Sequence, residues 1–123
     1  KDSGLPYDLK LVAGDIEYVN RATQEILNNI PIKFSLGQNY PNPFNPRTKM
    51  KYSLPRYAEV NITIYNVLGQ EVVVLLNKEK EYGYHVISWN GNDEYGKQVA
   101  SGVYFARLTT ESFTQTKKML LLK

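Results

Sequence analysis

From residue 34 onward, hydrophobic and polar side chains alternate in short runs that glycine, proline, asparagine or aspartate bring to a close. The clearest run sets Val60, Ile62 and Ile64 against Asn61, Thr63 and Tyr65. That period of two puts the aliphatic set on one face of a strand. Thr48 to Leu54 repeats the pattern, with Met50, Tyr52 and Leu54 opposite Lys49, Lys51 and Ser53, and Pro55 ends it. Phe34-Ser35-Leu36 reads as a short opening strand and Glu71 to Leu76 as a continuous apolar one. Gly83 opens another, with His85, Ile87 and Trp89 on the face opposite Tyr84, Val86 and Ser88. Val103 to Thr110 follows, and its inward set is predicted to be Tyr104, Ala106 and Leu108. The last strand runs from about Phe113 to the C-terminus, where Lys118, Leu120 and Leu122 alternate with Lys117, Met119 and Leu121. Both of its faces turn apolar, which predicts a strand buried between neighbours or one meant for a partner. Seven or so strands at this spacing predict an all-β antiparallel sandwich.

The connections carry turn chemistry. Asn66-Val67-Leu68-Gly69 is a tight link in which Gly69 takes a positive φ. Asn90-Gly91-Asn92-Asp93 and Tyr95-Gly96 are two further turns in close succession. Gln38 to Pro46 holds three of the chain's six prolines. Proline fixes φ, donates no hydrogen bond and disfavours helix at the residue before it. Tyr40, Asn42 and Asn45 each precede a proline, so this segment is extended or turning, and it marks a boundary. Residues 1–32 differ in pattern. Tyr7 to Val12 could be a strand, and Asp15 could cap a helix carrying Ile16, Val19, Ile26 and Leu27, ending at Asn28-Asn29. The same residues would also serve as the tail of a preceding domain and a linker. The expected division is therefore a linker or remnant over 1–32 and the sandwich over 33–123. The chain starts at Lys1 without methionine or signal peptide, as expected of a piece of something longer.

Charge and composition narrow the chemistry. The net charge is +3, with lysines dispersed beside acids such as Glu79 and Glu81, unlike the basic face or arm of a nucleic-acid binder. With no cysteine, thiolate metal sites and disulfides are excluded. No apolar run approaches the ~20 residues of a membrane helix, so no membrane insertion is expected. The single histidine, His85, lies mid-strand and reads as a structural position rather than a general base. Asn92 and Asp93 are the one weak calcium candidate, but the run Asn90 to Gly96 lacks the alternating acids and distant glutamate of a calcium loop. Ser101-Gly102 lacks the glycines of a nucleophile elbow. Tyr40, Tyr52, Tyr65, Trp89 and Tyr104 could stack on sugars, but in alternating strands they read as core or cross-strand residues. No catalytic site, metal or cofactor is expected.

Leu36-Gly37-Gln38-Asn39-Tyr40-Pro41-Asn42-Pro43-Phe44-Asn45-Pro46-Arg47-Thr48 resembles the opening motif of the C-terminal sorting domain (type A) of type IX secretion cargo. The resemblance continues in order through Tyr52-Ser53-Leu54-Pro55, Asn66-Val67-Leu68-Gly69-Gln70-Glu71-Val72, Gly83-Tyr84-His85, Trp89 to Asp93 and Ala100 to Phe105. It closes with Lys117-Lys118-Met119 and the terminal Leu120-Leu121-Leu122-Lys123. Trp89 to Tyr104 also resembles the immunoglobulin-like domain of flagellar hook-capping proteins. The resemblance implies an immunoglobulin- or fibronectin-like sandwich of seven strands at the end of an exported bacterial protein. It implies a non-catalytic role, directing cargo across the outer membrane to the cell surface. The implied lead-in motif is Asn39 to Pro46, and the implied sorting signal is Lys117, Lys118, Met119, Leu120, Leu121, Leu122 and Lys123. Implied partners are the translocon, a surface sortase that cleaves near Asn28 to Lys33, and a passenger domain upstream. A structural or adhesive module retained on the mature protein, assembling with copies of itself, is the alternative.

Overall fold

A computed structural model describes residues 30–123, and the chain divides between Ile30 and Pro31. The strand and helix read in Tyr7 to Asn29 lie outside the described residues. Seven strands follow: β1 (Ser35–Leu36), β2 (Thr48–Leu54), β3 (Ala58–Tyr65), β4 (Glu71–Lys80), β5 (Gly83–Trp89), β6 (Gly102–Thr109) and β7 (Thr114–Leu121). They form two antiparallel sheets, one ordered β1-β2-β5 and the other β4-β3-β6-β7. No helix occurs among the described residues. The all-β immunoglobulin- or fibronectin-like sandwich expected from the alternation is what the chain forms.

Strands β2, β3 and β6 turn inward the aliphatic and aromatic face that their alternation predicts, although Thr63 on the polar face of β3 is buried as well. Met50, Tyr52 and Leu54 of β2 are buried, and so are Val60, Ile62 and Ile64 of β3 and Tyr104, Ala106 and Leu108 of β6. Fully burying side chains of this size removes them from water for about 1.5–3 kcal/mol each, which is what holds two sheets face to face. Trp89 ends β5 at the centre of an aromatic cluster, 5.6 Å from Phe44 and 5.3 Å edge-on to Tyr104. Gly69 adopts φ +79° as predicted. Its turn is closed by Asn66, whose Oδ1 accepts from the Leu68 and Gln70 N–H groups at 2.9 and 3.0 Å.

Three expectations are corrected. Ser53, placed on the outer face of β2, is buried because β1 covers it: its hydroxyl donates to the Lys33 carbonyl at 3.0 Å and meets the Ser35 hydroxyl at 2.6 Å. Strand β4 does not stop at Leu76 but continues to Lys80, since an edge strand can carry exposed Lys78 and Glu79 without cost to the core. Of the two expectations for β7, burial between neighbours does not hold: among the described residues it lies at the edge of its sheet with β6 as its one strand partner.

Candidate functional site

The two stretches singled out in the sequence, the proline segment and the C-terminal strand, meet at one corner of the sandwich. Gln38 to Phe44 runs along the outer edge of β7, with Phe44 in a parallel bridge to Leu121. The Phe44 N–H donates to the Leu120 carbonyl, and the Leu122 N–H donates to the Phe44 carbonyl, both at 3.0 Å. Because prolines 41 and 43 have no N–H to give, side-chain amides stand in for peptide groups on either side. Asn42 Oδ1 accepts from the Leu120 N–H at 3.0 Å, and Gln38 Nε2 donates to the Lys118 carbonyl at 2.8 Å. The row of edge groups that an outermost strand leaves unpaired is thereby occupied from Lys118 to Leu122.

The segment is anchored at both ends. Asn39 is buried, and its Nδ2 donates to the Pro41 carbonyl and to Thr48 Oγ1, both at 3.0 Å. Thr48, also buried, donates its hydroxyl to the Pro41 carbonyl at 2.8 Å. The Tyr40 backbone exchanges two bonds with Lys49. At the far end Phe44 is only 1% exposed and packs on Trp89. Gly91, at φ +80°, sits so close that a β-carbon there would lie 3.0 Å from the Pro46 carbonyl. The lead-in residues are therefore part of the domain's wall rather than a spacer in front of it. Of the two roles expected for Tyr40, core or cross-strand, it takes the second: it is bridged antiparallel to Lys49 and is 82% exposed.

The sorting residues divide by face. Met119 and Leu121 point into the core and are fully buried. Lys118 and Lys123 are exposed, and Leu122 is 48% exposed. Leu120, half-buried on the outer face of β7, stands across from Val103, which is half-buried like its neighbour Phe105. The Lys123 N–H donates to Ser101 Oγ at 3.1 Å, tying down the chain end. Gln38, at the start of the proline segment, and Ser101 join this corner through side-chain partners that no local pattern indicated. Their partners are 80 and 22 residues away, a distance over which periodicity carries no information.

The remaining candidates have structural occupations. Asp93 Oδ1 accepts from the Tyr95 and Lys97 N–H groups, both at 2.9 Å, and the Asn92 backbone carbonyl accepts from Trp89 Nε1 at 2.9 Å. Among the described residues no group of three or more His, Asp or Glu lies close enough to hold a metal ion. His85 stacks on Tyr52, its cross-strand neighbour, at 5.0 Å, and its Nε2 lies 2.9 Å from the Glu81 carbonyl. Burial pushes the Tyr52 and Tyr104 phenols above their ordinary range, and the Tyr104 hydroxyl donates to the Ala100 carbonyl at 2.7 Å. Among the described residues no helix is long and apolar enough to cross a membrane.

The sequence profile of the FlgD Ig-like domain matches residues 44–112, more than half of the chain. No curated protein sequence matches the chain. Among solved structures, dimeric latent PorU from Porphyromonas gingivalis superposes with a TM-score of 0.60 at 20% identity, over 75% of this chain and 10% of PorU. PorZ, a surface component of the type IX secretion system of the same organism, gives 0.48 at 19% identity, over 73% of this chain and 11% of PorZ. FlgD from P. aeruginosa gives 0.49 at 18% identity, over 68% of this chain and 71% of that one. The chain thus spans about a tenth of the length of PorU and PorZ. At these identities the likeness is one of fold.

Proposed function

The chain belongs to the FlgD Ig-like domain family, and from that footing we propose that it is a non-catalytic address domain of an exported bacterial protein. In this reading it directs type IX secretion across the outer membrane and sorting at the cell surface. Its partners are the translocon, a surface sortase and the passenger upstream. The observation that carries the reading is the apolar outer face at the end of β7. A two-sheet sandwich needs only one buried face per strand, yet Leu120 and Leu122 turn apolar side chains outward beside Lys118 and Lys123. This reading takes the pair as the surface that another protein recognises.

The test must spare the core. Deleting Met119 to Lys123 would remove two fully buried side chains and unfold the domain whatever its role. Leu120→Asp with Leu122→Asp changes only the outer face. Fused to a passenger in a type IX-competent bacterium, this variant is expected to stay in the periplasm, while purified domain still unfolds cooperatively. Normal surface delivery of that passenger would refute the reading. A structural module retained on the mature protein is the second reading, favoured by β5, which among the described residues pairs with β2 alone and leaves its other edge open. It requires peptides between Tyr52 and Leu122 in surface material analysed by mass spectrometry.

A further inference from the structure

An open sheet edge is a row of unpaired N–H and C=O groups, and stable sandwiches blunt it with short strands, charge, proline, bulges or a covering segment. Among the described residues four strands have a single strand neighbour: β1, β5, β4 and β7. Three are blunted. Strand β1 is only two residues long. Strand β4 carries Glu71, Lys78, Glu79 and Lys80, and its register with β3 is broken twice. Strand β7 is closed by Gln38 to Phe44.

Among the described residues, strand β5 has none of these devices. Gly83-Tyr84-His85-Val86-Ile87-Ser88-Trp89 contains no Lys, Arg, Asp, Glu or Pro. It pairs with β2 through seven successive positions without a register shift. Among the described residues no strand lies on its other side. Tyr84 and Val86 stand 65% and 58% exposed, with Tyr82 at 53% just before them. Exposed tyrosine and valine on a flat, uncharged edge are what a second strand packs against.

We propose that β5 is a self-association edge, along which two copies pair antiparallel about a twofold axis. The two three-stranded sheets then become one continuous sheet of six. An axis at Val86 sets that residue against its own copy and Tyr84 against Ser88 of the partner subunit, an isologous arrangement in which each contact occurs twice. Charge favours a second copy over a charged partner. Nothing on β5 offers a counter-charge, and the nearest like charges, Lys49 and Lys51, lie one strand inward on β2. Across the pair they are three strand spacings apart, roughly 14 Å, beyond the ~8 Å screening length at physiological salt.

Sedimentation equilibrium of the 123-residue chain tests this. The expected result is a concentration-dependent monomer–dimer equilibrium. Val86→Lys places a charge on the twofold axis and is expected to weaken the dimer at least about tenfold, with a thermal unfolding profile unchanged from the parent's at a concentration where both are monomeric. Ser88→Lys, also on an exposed position, is expected to do the same, whereas Val74→Lys on the edge of β4 leaves the dimer intact. A chain that stays monomeric up to about 1 mM overturns the proposal. A dimer indifferent to Val86→Lys and Ser88→Lys, or one lost equally in Val74→Lys, also overturns it. None of these outcomes bears on the sorting role of β7.

Discussion

Replacing Phe44 with alanine asks whether the proline segment is structure or tether. Phe44 is 1% exposed and lies 5.6 Å from the ring of Trp89. Truncating a buried phenylalanine costs about 3–5 kcal/mol, covering lost transfer energy and the cavity left behind. The two backbone bonds that Phe44 makes to β7 are worth about 0.5–1.5 kcal/mol each and loosen with the ring, so the upper part of that range is expected. A domain of this size has about 5–15 kcal/mol in all, and each kcal/mol moves its Tm by about 4–8 °C. Phe44→Ala should therefore lower Tm by roughly 15–40 °C. Tyr40→Ala, four residues earlier but with its ring 82% exposed, should change stability by no more than about 0.5 kcal/mol. Guanidinium unfolding reports both. Trp89 is the sole tryptophan, and far-UV circular dichroism gives a second probe independent of its contact with Phe44. A cost below about 1 kcal/mol for Phe44→Ala would refute the reasoning, because the segment would then hang in front of the sandwich as a spacer.

Two further outcomes test the same corner and the core behind it. Gly91→Ala should cost more than Gly96→Ala. Both residues have positive φ near +80°, which costs an L-residue about 1–2 kcal/mol, but only at Gly91 would the new β-carbon meet backbone, the Pro46 carbonyl at 3.0 Å. Equal costs in denaturant unfolding would show that Pro46 yields freely. Stability should also fall at alkaline pH. Burial raises the Tyr52 and Tyr104 phenols, so the unfolded chain loses these protons first, near pH 10. Their contribution is complete below that pH and is lost as pH rises through the higher folded values. Denaturation midpoints between about pH 9 and 12 should drop less steeply in Tyr104→Phe than in the parent chain, and identical slopes would count against it.

Much of the fold was legible because one face of most strands is buried. The period of two in Val60 to Tyr65 and in Thr48 to Leu54 is the direct imprint of that burial, and the turn glycine Gly69 follows from backbone sterics alone. Sheet topology was not legible. Nothing local says that β7, among the described residues, pairs only with β6, so apolar residues on both its faces suggested a strand between two neighbours or one meant for a partner. Local pattern also missed how the proline segment is used. Its prolines announce extended backbone with few donors, but not that Asn42 and Gln38 lend side-chain amides to residues 78 and 80 positions away. Tyr40 read as a core or cross-strand aromatic, and it is cross-strand, opposite Lys49, without being core. It is exposed because its backbone, bonded to Lys49, is what the fold uses.

The placement of the proline segment constrains how any partner can engage the chain end. Strand addition at the outer edge of β7 would have to displace Asn42 to Phe44 and forfeit the burial of Phe44, a cost of about 3–5 kcal/mol before any new bond forms. Reading the outward side chains of Leu120, Leu122, Lys118 and Lys123 requires no such displacement, since they already face solvent in whole or part. Strand addition at β5 also displaces nothing among the described residues. The same sandwich thus offers a face at one end and a bare edge at the other. Recognition of the C-terminal residues through their side chains and pairing through the β5 backbone can proceed on one molecule without competing.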